Sequence, residues 1–221
     1  MSELRLSYPA CMLAEKTKFL PEDVALIESR IFAGGLDGPD AVATLLALEH
    51  CRADKCAEWD DFFVRILSDH VVYRMHPSGA LNQAKADWLR RALSRGGLVA
   101  SRNELEALTR IMELTGDQSR LLAGFALKQV WHAVIEGEGP LATRRKGLWA
   151  SLGMEQLGFI NRVLAALGSA EPFSIADAEA LFDPAHSLAP DGQESAWQDF
   201  VHTVTGPETL TKTLVSQSVA A

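Results

Sequence analysis

The sequence predicts an all-α fold: a compact bundle of about eight to ten helices, built from three divergent helical-hairpin repeats. Three observations carry that expectation. Apolar residues recur at helical spacing throughout, and no strand-length stretch alternates apolar with polar residues, so sheet content should be near nil. Glycine pairs, Gly34–Gly35 and Gly96–Gly97, follow helical stretches as stops. The segment Trp59, Asp60, Asp61, Phe62, Phe63, Val64 returns near the end of the chain as Trp197, Gln198, Asp199, Phe200, Val201, which marks an internal repeat.

The elements follow in order. Pro21 opens the first helix, with Glu22 and Asp23 in the first turn where the helix dipole favours acids, and Val24, Ile27 and Ile31 on one face. After the turn from Gly34 to Pro39, the residues Val42, Leu45, Leu46 and Leu48 mark a second helix. A polar connection from Arg52 to Glu58 leads to a third, on which Trp59, Phe62, Phe63, Ile66 and Leu67 form a broad apolar face. Its large aromatics are expected to anchor the core, because they supply much of the area that helices bury. Pro77, Ser78 and Gly79 break the chain before a helix expected from about Leu81 to Leu93.

Ser101 through Glu104 then form a Ser-x-x-Glu capping box, followed by Leu105, Leu108, Ile111 and Met112. A further helix is expected from about Gln118 to Ile135, and another around Met154, Leu157, Ile160, Val163, Leu164 and Leu167. Phe173 to Asp177 repeats the cap signal, and a last helix opens at Trp197. The copies start near Ile31, Leu93 and Leu167, a spacing of 62 and then 74 residues, too long and uneven for a regular solenoid. The expected organisation is an N-terminal helical part over 1–136 with two repeats, a Gly/Pro linker and basic loop over 137–147, and a C-terminal part over 148–221 with the third repeat.

The chain has 221 residues, 48% of them hydrophobic, enough to bury a substantial core. No run reaches the ~18 to 20 apolar residues of a spanning helix, and Ala10 to Ala14 is too short and wrongly flanked for a secretory signal. Three cysteines, Cys11, Cys51 and Cys56, suit reduced thiols, so the expected location is the cytoplasm. A net charge of −8 argues against nucleic acid or anionic membrane as a partner. The charge is uneven: residues 81–147 hold eleven Lys or Arg against seven Asp or Glu, and residues 148–221 hold two against nine. A solvated face is the plain reading of such clustering.

The glycine turn, short apolar step, capped helix and later aromatic helix resemble tellurite-resistance TerB-like helical domains, on Gly34, Gly35, Leu36 and Asp37 in the first unit and Gly96, Gly97, Leu98 and Ser101 through Glu104 in the second. The chain is also similar, over most of its length, to proteobacterial proteins that imply no activity. The TerB-like resemblance implies divalent metal held by acidic residues at such turns; in this chain Arg102 and Ala41 stand where further acids would be.

Several clusters could carry chemistry. His50, Cys51, Cys56, His70 and His76 fall within one hairpin and offer the soft ligands zinc prefers, though at no standard zinc spacing; ordinary core Cys and His residues are the alternative. Asp37, Asp60 and Asp61 are the acids a metal of the TerB-like kind would use, and are equally expected of exposed helix starts. The twelve positions from Asp183 to Glu194 have the length of a calcium loop, with Ala185, Ser187, Leu188 and Ala189 where ligands and a glycine belong. His132 and Glu136 stand four apart on one helix, as a proton-transfer or metal pair would, or as a surface ion pair. Arg144, Arg145 and Lys146 beside a Gly/Pro linker could grip a phosphate or an acidic segment, or merely solvate a loop.

No nucleophile elbow, phosphate loop, His-Glu-x-x-His or dinucleotide fingerprint is present. The expected function is therefore that of a non-enzymatic helical-repeat protein binding another protein, without a cofactor. Grooves between its hairpins and the 144–146 loop are the candidate contacts. The alternative is a TerB-like protein that binds a divalent metal or small ligand in a stress response.

Overall fold

In the computed structural model, residues 8–142, 153–169, 173 and 197–203 are described. Eight α-helices lie among them: α1 (Tyr8–Ala14), α2 (Pro21–Leu26), α3 (Pro39–Glu49), α4 (Ala57–Asp69), α5 (Gln83–Leu93), α6 (Arg102–Thr115), α7 (Arg120–Trp131) and α8 (Met154–Ala166). Residues 197–203 are also helical. The fold is all-α. It departs from helix in a ribbon of two antiparallel strands, β1 (Ser94–Arg95) and β2 (Leu98–Val99), pairing Ser94 with Val99 and Arg95 with Leu98, and in an isolated parallel bridge between Lys18 and Asp54. Gly96 and Gly97 do more than follow a helix, since they form the ribbon's turn with φ of 64° and 90°, a conformation only glycine adopts without strain.

Three helices widen at their C-terminal ends into five-residue π turns: α2 into Ile27–Ile31, α4 into His70–Arg74 and α7 into His132–Glu136. α5 starts two residues later than its apolar pattern suggests, because the Asn82 side chain caps it by accepting the Lys85 N–H at 2.9 Å. α1 was hidden in the sequence: the run near Ala10 is too short for periodicity to show, yet Ala10 and Leu13 are buried. No helix among the described residues is long and apolar enough to cross a membrane.

The chain divides into two compact units, one comprising residues 1–80 and 101–111 and the other residues 81–100 and 112–221. The first thus takes α1 to α4 and the start of α6. Its core is aromatic. Trp59 is fully buried, with Phe19 edge-on at 5.1 Å between ring centres and Phe62 and Phe63 at 5.9 and 6.2 Å. The strand-like segment before α2 is tied to the α3–α4 connection, since Phe19 N–H donates to Asp54 O and Asp54 N–H to Thr17 O, both at 2.9 Å.

In the second unit α7 packs on α5 and on α8. Leu89, Leu93, Val99, Leu122, Ala126, Val130, Ile160 and Val163 are buried there. The Trp197 echo is also a core anchor: its ring lies 6.0 Å from Trp131 and 5.4 Å from Phe200, which in turn meets Phe173 at 5.0 Å. Asn161 fixes Phe173 from α8, taking its N–H at 2.7 Å and donating to its carbonyl at 3.1 Å.

Candidate functional site

Polar side chains converge in the first unit where α3 ends and α4 and α6 begin. Trp59 Nε1–H donates to Glu49 Oε2 at 2.6 Å, so the largest core ring carries its one polar atom to a carboxylate that is itself buried. The Asn103 amide donates to Glu49 at 3.3 Å and to Asp60 Oδ1 at 2.7 Å, and so joins two carboxylates through a neutral donor. Next to Asn103, Glu104 closes its capping box: Ser101 N–H donates to Oε2 at 2.9 Å and Glu104 N–H donates to Ser101 Oγ at 3.1 Å. The other oxygen, Oε1, meets His50 Nε2 at 2.8 Å. Glu49, Asp60 and Glu104 each accept at least one N–H. The cluster secures three helix ends.

A cleft of about 410 Å³ opens elsewhere in the same unit, beside the π turns that end α2 and α4. Phe32, Leu36 and Ile66 form its apolar floor, while Glu28, Arg65, Asp69 and Arg74 stand on its rim. Arg65 donates to Glu28 at 2.8 Å and lies over the Phe62 ring at 5.6 Å. Arg74 Nη1 donates to the Gly34 carbonyl and lies 3.7 Å from Asp37. The glycine there suits the backbone and leaves room for the arginine head. Gly35 has φ of +87°, and a Cβ on it would lie 2.6 Å from the guanidinium carbon of Arg74. The turn of Gly35 and Leu36 therefore makes a wall of the cleft. A volume of this size falls within the range of ~300–1,000 Å³ that small ligands and peptide side chains occupy.

Two further groups stand out. His132 is buried, its Nδ1 2.6 Å from Glu136 Oε2, and its Nε2 has no hydrogen-bond partner. The pair is thus not a surface ion pair, because only Glu136 is well exposed. Asp23 and Lys85 are buried charges near helix starts. Burial alone would raise the Asp23 pKa, but the bond from Lys16 and the Leu20 N–H outweigh it and hold the carboxyl below its ordinary value. Burial pushes the Lys85 ammonium below its usual range.

The sequence-predicted residues fall apart in space. His50 and Asp60 join the helix-end cluster, whereas Asp37 is exposed near Arg74 and Asp61 is exposed on α4. Cys51 is half-buried, with Lys55 Nζ 3.3 Å from its sulfur, and Cys56 precedes α4. His70 opens the π turn of α4, and His76 is exposed beyond it. Among the described residues, no group of three or more His, Cys, Asp or Glu side chains is placed to hold a metal ion. Arg144, Arg145 and Lys146 lie outside the described residues, as does the stretch from Asp183 to Glu194. Glu49, Asn103, Arg65 and Arg74 had no sequence signal of their own, since each takes its role from partners 10 to 54 positions away.

No protein-family model, no curated protein and no solved structure matches this chain.

Proposed function

We propose that this is a non-enzymatic, cytoplasmic protein-interaction module that receives a polypeptide segment of a partner in the cleft between α2 and α4. The observation that supports it is the composition of that cleft, an apolar floor of Phe32, Leu36 and Ile66 under a rim carrying both charge signs. Such a combination suits a peptide, whose apolar side chain fills the floor while its polar flanks pair with the rim. The three thiols form no disulfide, in keeping with a reducing compartment.

The test is a photoreactive phenylalanine analogue at Ser29, an exposed residue of the cleft. Light-dependent adducts to polypeptide are expected from this position, lost on combining Arg65→Glu with Asp69→Lys, and absent from the same analogue at exposed Glu58. Equal adduct yields at the two positions, or yields indifferent to the charge changes, would count against the cleft.

A second reading, a TerB-like protein binding divalent metal or a small ligand, is favoured by one observation: the turn that carries Gly35, Leu36 and Asp37 borders the cleft of about 410 Å³. Magnesium, calcium and zinc titrations followed by melting temperature test its metal form. A saturable rise abolished by Asp37→Asn supports the second reading, and a flat response removes the metal from it.

A further inference from the structure

The helices keep a register that bears on function. α5, α6 and α7 begin at Gln83, Arg102 and Arg120, which is 62 or 63 residues after α2, α3 and α4 at Pro21, Pro39 and Ala57. The π turns of α4 and α7 both open on a histidine, His70 and His132, again 62 apart. The glycine pairs 34–35 and 96–97 keep the same interval. α2 packs on α4 in the first unit, and α5 packs on α7 in the second. We infer that these are successive copies of one motif, and we propose that the second copy carries its own docking face, on α5, the ribbon and α7, for an acidic polypeptide segment.

A shift of 62 carries the cleft residues Ser29, Ala33 and Ile66 onto Arg91, Arg95 and Lys128. All three cations are exposed, and none makes an ion pair or a side-chain hydrogen bond with a described residue. They stand close together in the chain's path. Arg91 lies in the last turn of α5 and Arg95 two residues beyond its end, in β1, where it pairs across the ribbon with Leu98. The residues on either side of Leu98 are clasped by Gln129, which donates from Nε2 to Gly97 O and accepts Val99 N–H on Oε1, both at 2.9 Å. Lys128 directly precedes Gln129 on α7.

Asp87 pairs with Arg90 at 2.7 Å and Glu136 with His132 at 2.6 Å, which leaves Glu138, beside the Gly139 that meets Leu98, as a single acid against three cations. Where the first copy balances Arg65 with Glu28, the second leaves its cations in excess. Unbalanced like charges held on a rigid scaffold raise the local potential and draw carboxylates, which arginine engages with two parallel N–H bonds. The net charge of −8 opposes a long polyanion such as nucleic acid far more than it opposes a short acidic peptide, because the repulsion grows with the partner's charge.

The test uses the full chain and a fluorescent oligoglutamate peptide, read by anisotropy. Saturable binding that weakens with salt is expected, falling about tenfold or more on combining Arg91→Glu with Arg95→Glu. Arg52→Glu, an exposed charge reversal outside both this face and the α2–α4 cleft, leaves it unchanged. Should the charge-reversed protein lose its far-UV circular dichroism, the Arg91→Gln, Arg95→Gln pair replaces it, with a smaller loss expected. The absence of saturable binding, a loss no larger than that from Arg52→Glu, or tighter binding of a single-stranded DNA oligomer would each overturn the proposal.

Discussion

Replacing Trp59 with phenylalanine tests whether the helix-end cluster, and not ring burial alone, holds the first unit together. The indole is fully buried, and its N–H is 2.6 Å from a Glu49 carboxylate that is 9% exposed. Trp59→Phe keeps an aromatic ring against Phe19 and Phe63 but leaves that oxygen with only the Asn103 contact at 3.3 Å. Losing a hydrogen bond to a buried charged group costs about 1.5–3 kcal/mol. The smaller ring gives up roughly a further 1 kcal/mol of apolar burial. Destabilisation of roughly 3 kcal/mol is therefore expected in urea unfolding followed by far-UV circular dichroism, which does not depend on the altered fluorophore. Glu49→Gln keeps an acceptor but loses its charge, and should cost only about 1 kcal/mol, since neutral bonds are about half as strong. Because the two residues share one bond, the double variant should cost clearly less than the sum of the singles. A Trp59→Phe cost below about 0.5 kcal/mol, or strict additivity in the double variant, would refute the assignment of stability to this bond.

Three more outcomes are expected. Asp23 is held below its ordinary value of 3.8, so it contributes stability that is fully present above that value and lost as pH falls through the lower, folded one. The stability gap between wild type and Asp23→Asn should accordingly close between roughly pH 5 and pH 2, and a constant gap over that range would exclude the linkage. Lys85 is displaced downward from 10.5, so its burial penalises the folded state at neutral pH and the penalty fades as pH approaches that value. The stability difference between wild type and Lys85→Met should therefore move in favour of wild type as pH rises toward 10.5, and a difference constant with pH would contradict the linkage. Gly35→Ala meets both a positive φ and the Arg74 guanidinium, so a cost of about 2 kcal/mol and a changed crosslinking pattern from the cleft are expected, measured by urea midpoint and adduct yield.

Much of the fold was legible because large aromatics and helical spacing speak locally. Trp59, Phe62, Phe63 and Trp197 are buried as their sequence context implies, and Pro21 and Pro39 each stand at the first position of a helix. The candidate sites were far less legible. The cleft depends on Arg65 reaching Glu28 across 37 positions and Arg74 reaching Gly34 across 40, and an exposed arginine on a helix face announces neither. The His50 to His76 set looked dense only because it is short in sequence. Helix α4 and its π turn separate Cys56 from His76, and His50 turns instead to Glu104, 54 residues away. His132 and Glu136 were visible as a pair, but the burial that distinguishes them comes from packing, which spacing does not encode.

Helix starts show the same limit in a form that chemistry explains. The Ser101–Glu104 box was readable because serine at the cap and glutamate three residues on form a known pattern. Two other helices use the same return bond under different residues: Asp23 accepts the Leu20 N–H at 3.0 Å before α2, and Gln156 accepts the Gly153 N–H at 2.9 Å before α8. In both, the cap residue offers no side-chain oxygen, so only the half of the box that runs from the third residue back to the cap survives. That half needs an acceptor three positions along and nothing at the cap itself, which is why leucine and glycine can stand there. α5 keeps the opposite half, Asn82 to the Lys85 N–H, and so frees its third position for a lysine where α2 has Asp23. The choice of half-box thus decides which charge each helix start can bury. Asp23 is stabilised by its capping bond, whereas the Lys85 side chain has no capping duty and burial pushes its ammonium below the usual range.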